Sequence, residues 1–330
     1  MRRSIRSVSA LPGNARFHHH RRRSADRVGD GVLYGLCLLA ALLAVLAIGA
    51  IAYQVIHGAS SSISRFGLGF LVHTTWKPNF GVFGAGAFLY GTAVTSIVTL
   101  LLAVPIGVSI ALYLSMVAPR RLRGVIGPLV EMLAAIPSVI LGFWGILVFG
   151  PFLQAHLEPF LYNVLGFLPI FGAPATTGAG LFNASLILTI MVVPIIASIS
   201  RDLFLTVPLE LQEGATALGA TRWEVVRGVV IPSAASGVVA AAFLGLGRAL
   251  GEAIAVTQVI GAGSFIHASL FQTGDTLASR IADQFQGATT HLQIASLFYL
   301  GFILLVIGLL ANVAAQLIAR RFDVRRVVAR

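Results

Sequence analysis

Arg248 and Glu252 stand four residues apart in the run GLGRALGEAIAV, whose other members are apolar or glycine. An arginine guanidinium is a planar fork of donors that can hold a tetrahedral oxyanion through two parallel bonds. A carboxylate repels such an anion, unless it accepts a bond from a protonated form or serves to neutralise the arginine so that the anion is not trapped. At i and i+4 on a helix the two share a face and can pair. Arginine ahead of glutamate is the weaker order, so helix stability is a poor reason for the pair. Gly245, Gly247 and Gly251 flank it and let another backbone approach closely. Two uses fit this pattern: a polar gate or anion-attracting point on a path through an apolar medium, or an interhelical salt bridge that holds a bundle together.

The apolar medium follows from composition. Hydrophobic residues make up 57% of the 330 and charged residues 11%, with a mean hydropathy of +0.90, far from the charge content of soluble domains. The chain is expected to be an all-α, polytopic membrane protein in a lipid bilayer. Its net charge of +11 would suit nucleic acid, but 13 of the 23 basic residues lie at or before Arg27 or from Arg320 onward. Charge so placed reports topology, and no nucleic-acid partner is expected. The single cysteine, Cys37, excludes an internal disulfide. His18 to His20 sit in a basic tail and are not assigned to a metal.

Apolar runs predict six spans, at about 31–56, 87–116, 125–149, 181–199, 233–259 and 292–317. Residues 1–30 and 321–330 are basic tails. The first run is too long for a signal-peptide core and lacks a convincing cleavage site, so it is expected to remain as an anchor. With both termini in the cytoplasm, cytoplasmic segments hold 19 of the 23 basic residues, external loops hold only Arg65, Lys77 and Arg280, and Arg248 alone falls in the membrane. By helix rise Arg248 lies about 24 Å beyond Pro232, near the midplane. Leu153 to Gly180, without lysine or arginine, is expected as an external loop. Trp76 is expected at the headgroup level. Glu131, in the third span, suits a snorkelling or capping role near the cytoplasmic face as well as a place on a path.

Pro208 to Pro232 is too polar for lipid. Glu210 and Glu213 fall in the first turn after Pro208, where negative charge is favoured, and Gly219 supplies a stop. Thr221 with Glu224 three residues on is a capping box that opens a second helix. The segment therefore reads helix, glycine turn, helix: an ordered elbow between spans, and a candidate docking surface for a soluble partner. The chain has no chemistry of its own to drive movement. Its only lysine, Lys77, follows Trp76 and no phosphate-binding loop is present; GLGRALG has the wrong glycine spacing for a dinucleotide fingerprint, and no H-E-x-x-H, cysteine pair or G-x-S-x-G occurs.

Glu213-Gly214-Ala215, then Gly219, Val229 and Ile231-Pro232, resembles the E-A-A-x3-G-x9-I-x-L-P loop of importer-type ABC transporter permeases, with conservative departures at Gly214, Val229 and Ile231. GRALGEAIAVTQVIG, together with Trp76, Pro78, Phe83, Gly84, Tyr90, Gly91 and Thr92, is similar to the C-type permease subunits of phosphate-specific ABC importers. The likeness covers most of residues 65–320. Sulfate permeases share an R-A-L-G-E core but usually continue E-F-G or E-Y-G, whereas Ala253 to Val256 follow here. The resemblance implies an ABC importer type I permease fold in the cytoplasmic (inner) cell membrane and a non-catalytic subunit that passes inorganic phosphate. Arg248 and Glu252 would lie on the translocation pathway, and Glu210, Glu213, Gly214, Ala215, Gly219, Thr221 and Arg222 would form the ATPase-coupling loop. It implies as partners a second, A-type permease, an ATPase dimer that binds ATP and Mg, and an external phosphate-binding protein, with no cofactor in this chain. A permease for another oxyanion such as sulfate or molybdate has the same parts. A stand-alone secondary transporter or channel would need no ATPase and usually shows an inverted repeat, which is not evident.

Overall fold

The computed structural model describes residues 22–321, so most of the N-terminal tail, including His18 to His20, and residues 322–330 lie outside the described part. It divides into two units, one up to Gln54 and one from Val55. The first unit is a stretch of helix α1 (Arg22–Phe66), which begins nine residues before the expected span. Its apolar side chains, Val32, Leu36, Leu39 and Leu43 among them, are exposed, an apolar surface suited to the interior of a bilayer.

The second unit holds the end of α1, one turn of helix at Gly69–Val72, 3-10 turns at Pro78–Phe80 and Pro169–Phe171, and the remaining helices. They are α2 (Gly86–Val117), α3 (Arg120–Ala134), α4 (Ser138–Leu165), α5 (Leu181–Leu205), α6 (Leu209–Ala217), α7 (Arg222–Gly251), α8 (Ile254–Val259), α9 (Leu277–Gln284) and α10 (His291–Arg321). Among the described residues six helices, α1, α2, α4, α5, α7 and α10, are long and apolar enough to cross a membrane.

Helix α5 is the centre. Against it lies α2, where Thr99 donates its hydroxyl to the Ser185 carbonyl at 3.1 Å and Gly107 brings the α2 backbone against Ile196 and Ala197. Against it also lies α7, with Gly245 on Val192 and Ile196 and Gly237 on Leu203. Lipid tails are as apolar as leucine, so helices gain little by hiding apolar surface from them. Close backbone approach and interhelical hydrogen bonds worth about 0.6–2 kcal/mol each hold such a bundle instead.

The end of the bundle away from the elbow is closed by the segment between α8 and α10, which docks on the start of α2. Tyr90 donates to the His267 carbonyl at 2.7 Å, Gly91 leaves room for the Asp275 carbonyl, and Thr92 accepts from the Leu277 amide at 2.9 Å. Asp275 and Arg280, both buried, pair at 2.7 Å, and the guanidinium lies 4.8 Å from the Phe88 ring centroid. Trp76, expected at the headgroup level, has a protein environment. It is buried against Phe83 and Phe88, and its indole N–H donates to Gln284 at 3.0 Å.

The third span also differs. The sequence places it at 125–149, but the helix stops at Ala134 and restarts at Ser138, because Pro137 keeps Ile136 out of helical conformation and offers no amide. The apolar helix then runs on to Leu165, through what was expected to be an external loop. Helix α3 becomes a separate amphipathic piece lying along α5. On it Glu131 finds a partner, Arg201, at 3.0 Å.

Candidate functional site: a broken span and a capped elbow

The fifth span, expected to run unbroken to residue 259, ends as a helix at Gly251. Glu252 is extended (φ −74°, ψ 115°), and α8 begins two residues later. The break is local in origin. Gly245, Gly247 and Gly251 weaken the helix, and the Glu252 carboxylate accepts the Ala255 amide at 3.4 Å, satisfying an N–H that the new helix leaves without an internal partner. Glu252 is therefore not on the same helical face as Arg248. It sits just past the helix end, with 9% of its side chain exposed against 40% for Arg248, and its Oε2 lies 3.8 Å from Arg248 Nη2. That separation is at the outer limit of an ion pair and beyond a hydrogen bond. Glu252 is held by the α8 backbone, while Arg248, in the last turn of α7, presents an accessible fork of donors. Such an arrangement can receive an anion without first breaking a tight salt bridge.

Helix α8 is fixed from three sides. Gly142 and Gly145 of α4 let Ala255, Gln258 and Val259 approach, and Leu141 joins Ala255, Val256 and Val259 in a buried cluster with Ile187 and Leu188 of α5. Thr257 donates to the Ser279 carbonyl of α9 at 3.3 Å, and Gly180 donates its amide to the Val259 carbonyl.

At the other end of α7 lies the elbow. Pro208 precedes α6, whose first turn carries Glu210, with Glu213 in the next. Gly214 is helical with open space around it, and Ala215 packs toward Val225 and Val230. Gly219 turns the chain at φ +90°, a conformation that favours glycine. Thr221 then caps α7: its Oγ1 accepts the Glu224 amide, and Glu224 Oε2 accepts the Thr221 amide at 2.7 Å. Arg222, Glu213, Gln212 and Thr216 border a cavity of about 270 Å³ whose apolar wall is Met116, Val117, Leu209, Val225 and Val226. The backbone makes a π turn on each side of it, at Tyr113–Val117 and Val226–Val230. Sequence reasoning named Glu213 and Arg222 and missed Gln212 and Thr216, as well as Leu218 and Trp223, whose side chains are 92% and 65% exposed. Large apolar residues inside a polar run were the available signal. Exposed apolar side chains beside charged residues have the composition found in protein-docking faces.

A helical membrane bundle with a polar break in one span and a capped elbow leading into that same span has the fold of an ABC importer's permease component. Among solved structures, a bacterial ABC transporter involved in the import of the acidic polysaccharide alginate matches with a TM-score of 0.56 over 90% of this chain and 99% of that chain, at 16% identity. The inward-facing MetNI methionine ABC transporter matches with a TM-score of 0.50 over 70% of this chain and 91% of that one, at 22% identity. These likenesses concern the fold.

Residues 103–324 match the family described as binding-protein-dependent transport system inner membrane component, and the chain belongs to that family. It is 41% identical over 300 residues to the phosphate transport system permease protein PstC of Mesorhizobium japonicum, covering 90% of this chain and 91% of that relative. To the protein of the same name from Haemophilus influenzae it is 44% identical over 288 residues, covering 86% and 91%. The chain is a multi-pass membrane protein and a permease component.

Proposed function

We propose that this chain is the permease subunit of an ATP-driven, binding-protein-dependent importer that carries inorganic phosphate across the cytoplasmic membrane, with both termini in the cytoplasm. The observation that carries the reading is identity of 41–44% along nearly the whole length to permeases named for phosphate transport. The site chemistry supports it: Arg248 offers two parallel donors to a tetrahedral oxyanion, and Glu252, already tied to α8, limits how tightly the anion is held. A second, A-type permease completes the path, and an external phosphate-binding protein delivers the cargo. ATP and Mg are bound by a dimer of ATPase subunits, one of which docks on the elbow through Glu210, Glu213, Gly214, Ala215, Gly219, Thr221 and Arg222, with Leu218 and Trp223 as its apolar anchors. Closure of the ATPases moves the elbow, and with it α7, so that the cavity changes the side to which it opens.

The test is uptake by the purified four-component complex in proteoliposomes. Labelled phosphate should accumulate only when ATP and the binding protein are present, and excess sulfate or molybdate should not compete. Preferential uptake of another oxyanion, or uptake without the ATPase, would overturn the proposal.

A further inference from the structure

The ion pair between Arg201 and Glu131 lies at the elbow end of the bundle, apart from both halves of the site. Arg201 is one turn from the end of α5, and α5 runs through Thr206 to Pro208 directly into α6. Its Nη2 reaches Glu131 Oε1 on α3 at 3.0 Å and Asp202 Oδ1 at 3.2 Å. The guanidinium passes close over α3 at Gly127, where a Cβ would stand 3.0 Å from Arg201 Nη1. Around the pair, α3 and α5 meet through Gly127, Val130, Ala197 and Ser198, mostly small residues that set no register by themselves. With 21% of the arginine and 49% of the glutamate side chain exposed, the pair adds little to stability. What it does supply is a directional contact with the fork shared between two carboxylates.

From Glu131 the chain leads to the break. Helix α3 ends one turn on, Pro137 turns the backbone, and the first turns of α4 hold α8 through Gly142, Gly145 and Leu141. Glu252 is bonded to the first turn of α8. These contacts form a continuous route by which a displacement of the elbow that drags the end of α5 would reach α3 through Arg201, and then α4, α8 and Glu252.

We propose that Arg201 and Glu131 are positioning residues for transport: a link that makes movement of the elbow, which α7 follows directly, also move the far side of the break, α8 and the Glu252 bonded to it. The proposal rests on the reading of the elbow as the ATPase dock. Glu131, for which the sequence leaves a snorkelling role and a pathway role both open, thereby has a task that is neither.

The test uses the complete complex in proteoliposomes, with phosphate imported per ATP hydrolysed as the readout and ATPase co-purification as the check on assembly. E131Q and R201Q should each assemble, continue to hydrolyse ATP, and lower phosphate per ATP about fivefold. Because the two residues act as one contact, E131Q/R201Q should be no worse than the more affected single variant. An unchanged ratio in either single variant, losses that multiply in the double, or failure of the variants to assemble would overturn the link, the last because the pair would then be holding the fold. A wild-type complex without ATP-driven phosphate uptake would instead bring down the proposed function, and the link with it.

Discussion

Glu252 has two neighbours to serve, and substitutions can separate them. Glutamine keeps an oxygen for the Ala255 amide but removes the charge opposite Arg248, whereas alanine removes both. E252Q is expected to assemble with an unchanged thermal transition and to lose phosphate uptake. E252A should lose uptake and also show a lower transition, by an amount corresponding to a lost helix cap, about 1 kcal/mol. Equal transitions for the two variants would mean that the capping contact does not matter. For Arg248 the decisive change is to lysine, which keeps the charge and loses the fork. R248K should lower uptake by about tenfold or more at saturating binding protein. The residues at the break were legible because ionisable groups in an apolar run stand out on sight, and their place in the sequence is also their place in the structure. Trp76 was not, since its partner Gln284 is 208 residues away and no local pattern announces it. The same holds for Glu131, whose partner lies on another helix.

The elbow was the most legible element, because proline, a capping box and a glycine stop are all signals between near neighbours in sequence. The breaks at Ala134 and Gly251 were less so: hydropathy continues across both, and proline or glycine alone does not say whether a helix kinks or ends. Two glycines of the elbow make opposite predictions. Gly214 has helical geometry and nothing within 4 Å of a would-be Cβ, so G214A should stabilise α6 by about 0.5–1 kcal/mol. Gly219 has equally open space but φ +90°, so in G219A the whole penalty is backbone strain, about 1–2 kcal/mol. Thermal unfolding of the complex reads both. Retention of the ATPase on purification should rise or hold with the first and fall with the second.

Over the molecule as a whole, the charge distribution predicts the sidedness on which the proposed mechanism depends. Cys37 is the only cysteine, so a C37S background permits single reporters. A cysteine at Gly219 should react with an impermeant thiol reagent only from the cytoplasm, and one at Phe80, 78% exposed beside Lys77, only from outside. Labelling of both from the same side would reverse the assignment of six spans with both termini inside. The docking of the segment between α8 and α10 on α2 bears on inheritance. At Gly91 the object facing the missing side chain is the peptide carbonyl of Asp275, and at Gly84 it is that of His73. A carbonyl fixed in the main chain has no rotamer with which to step aside, so no second mutation in a neighbouring side chain can compensate. A saturation library selected for growth on scarce phosphate should therefore return glycine codons alone at these two positions, whereas Gly124 and Gly228, with nothing near them, should drift freely. In a lineage of such permeases, those two sites would be among the last to change.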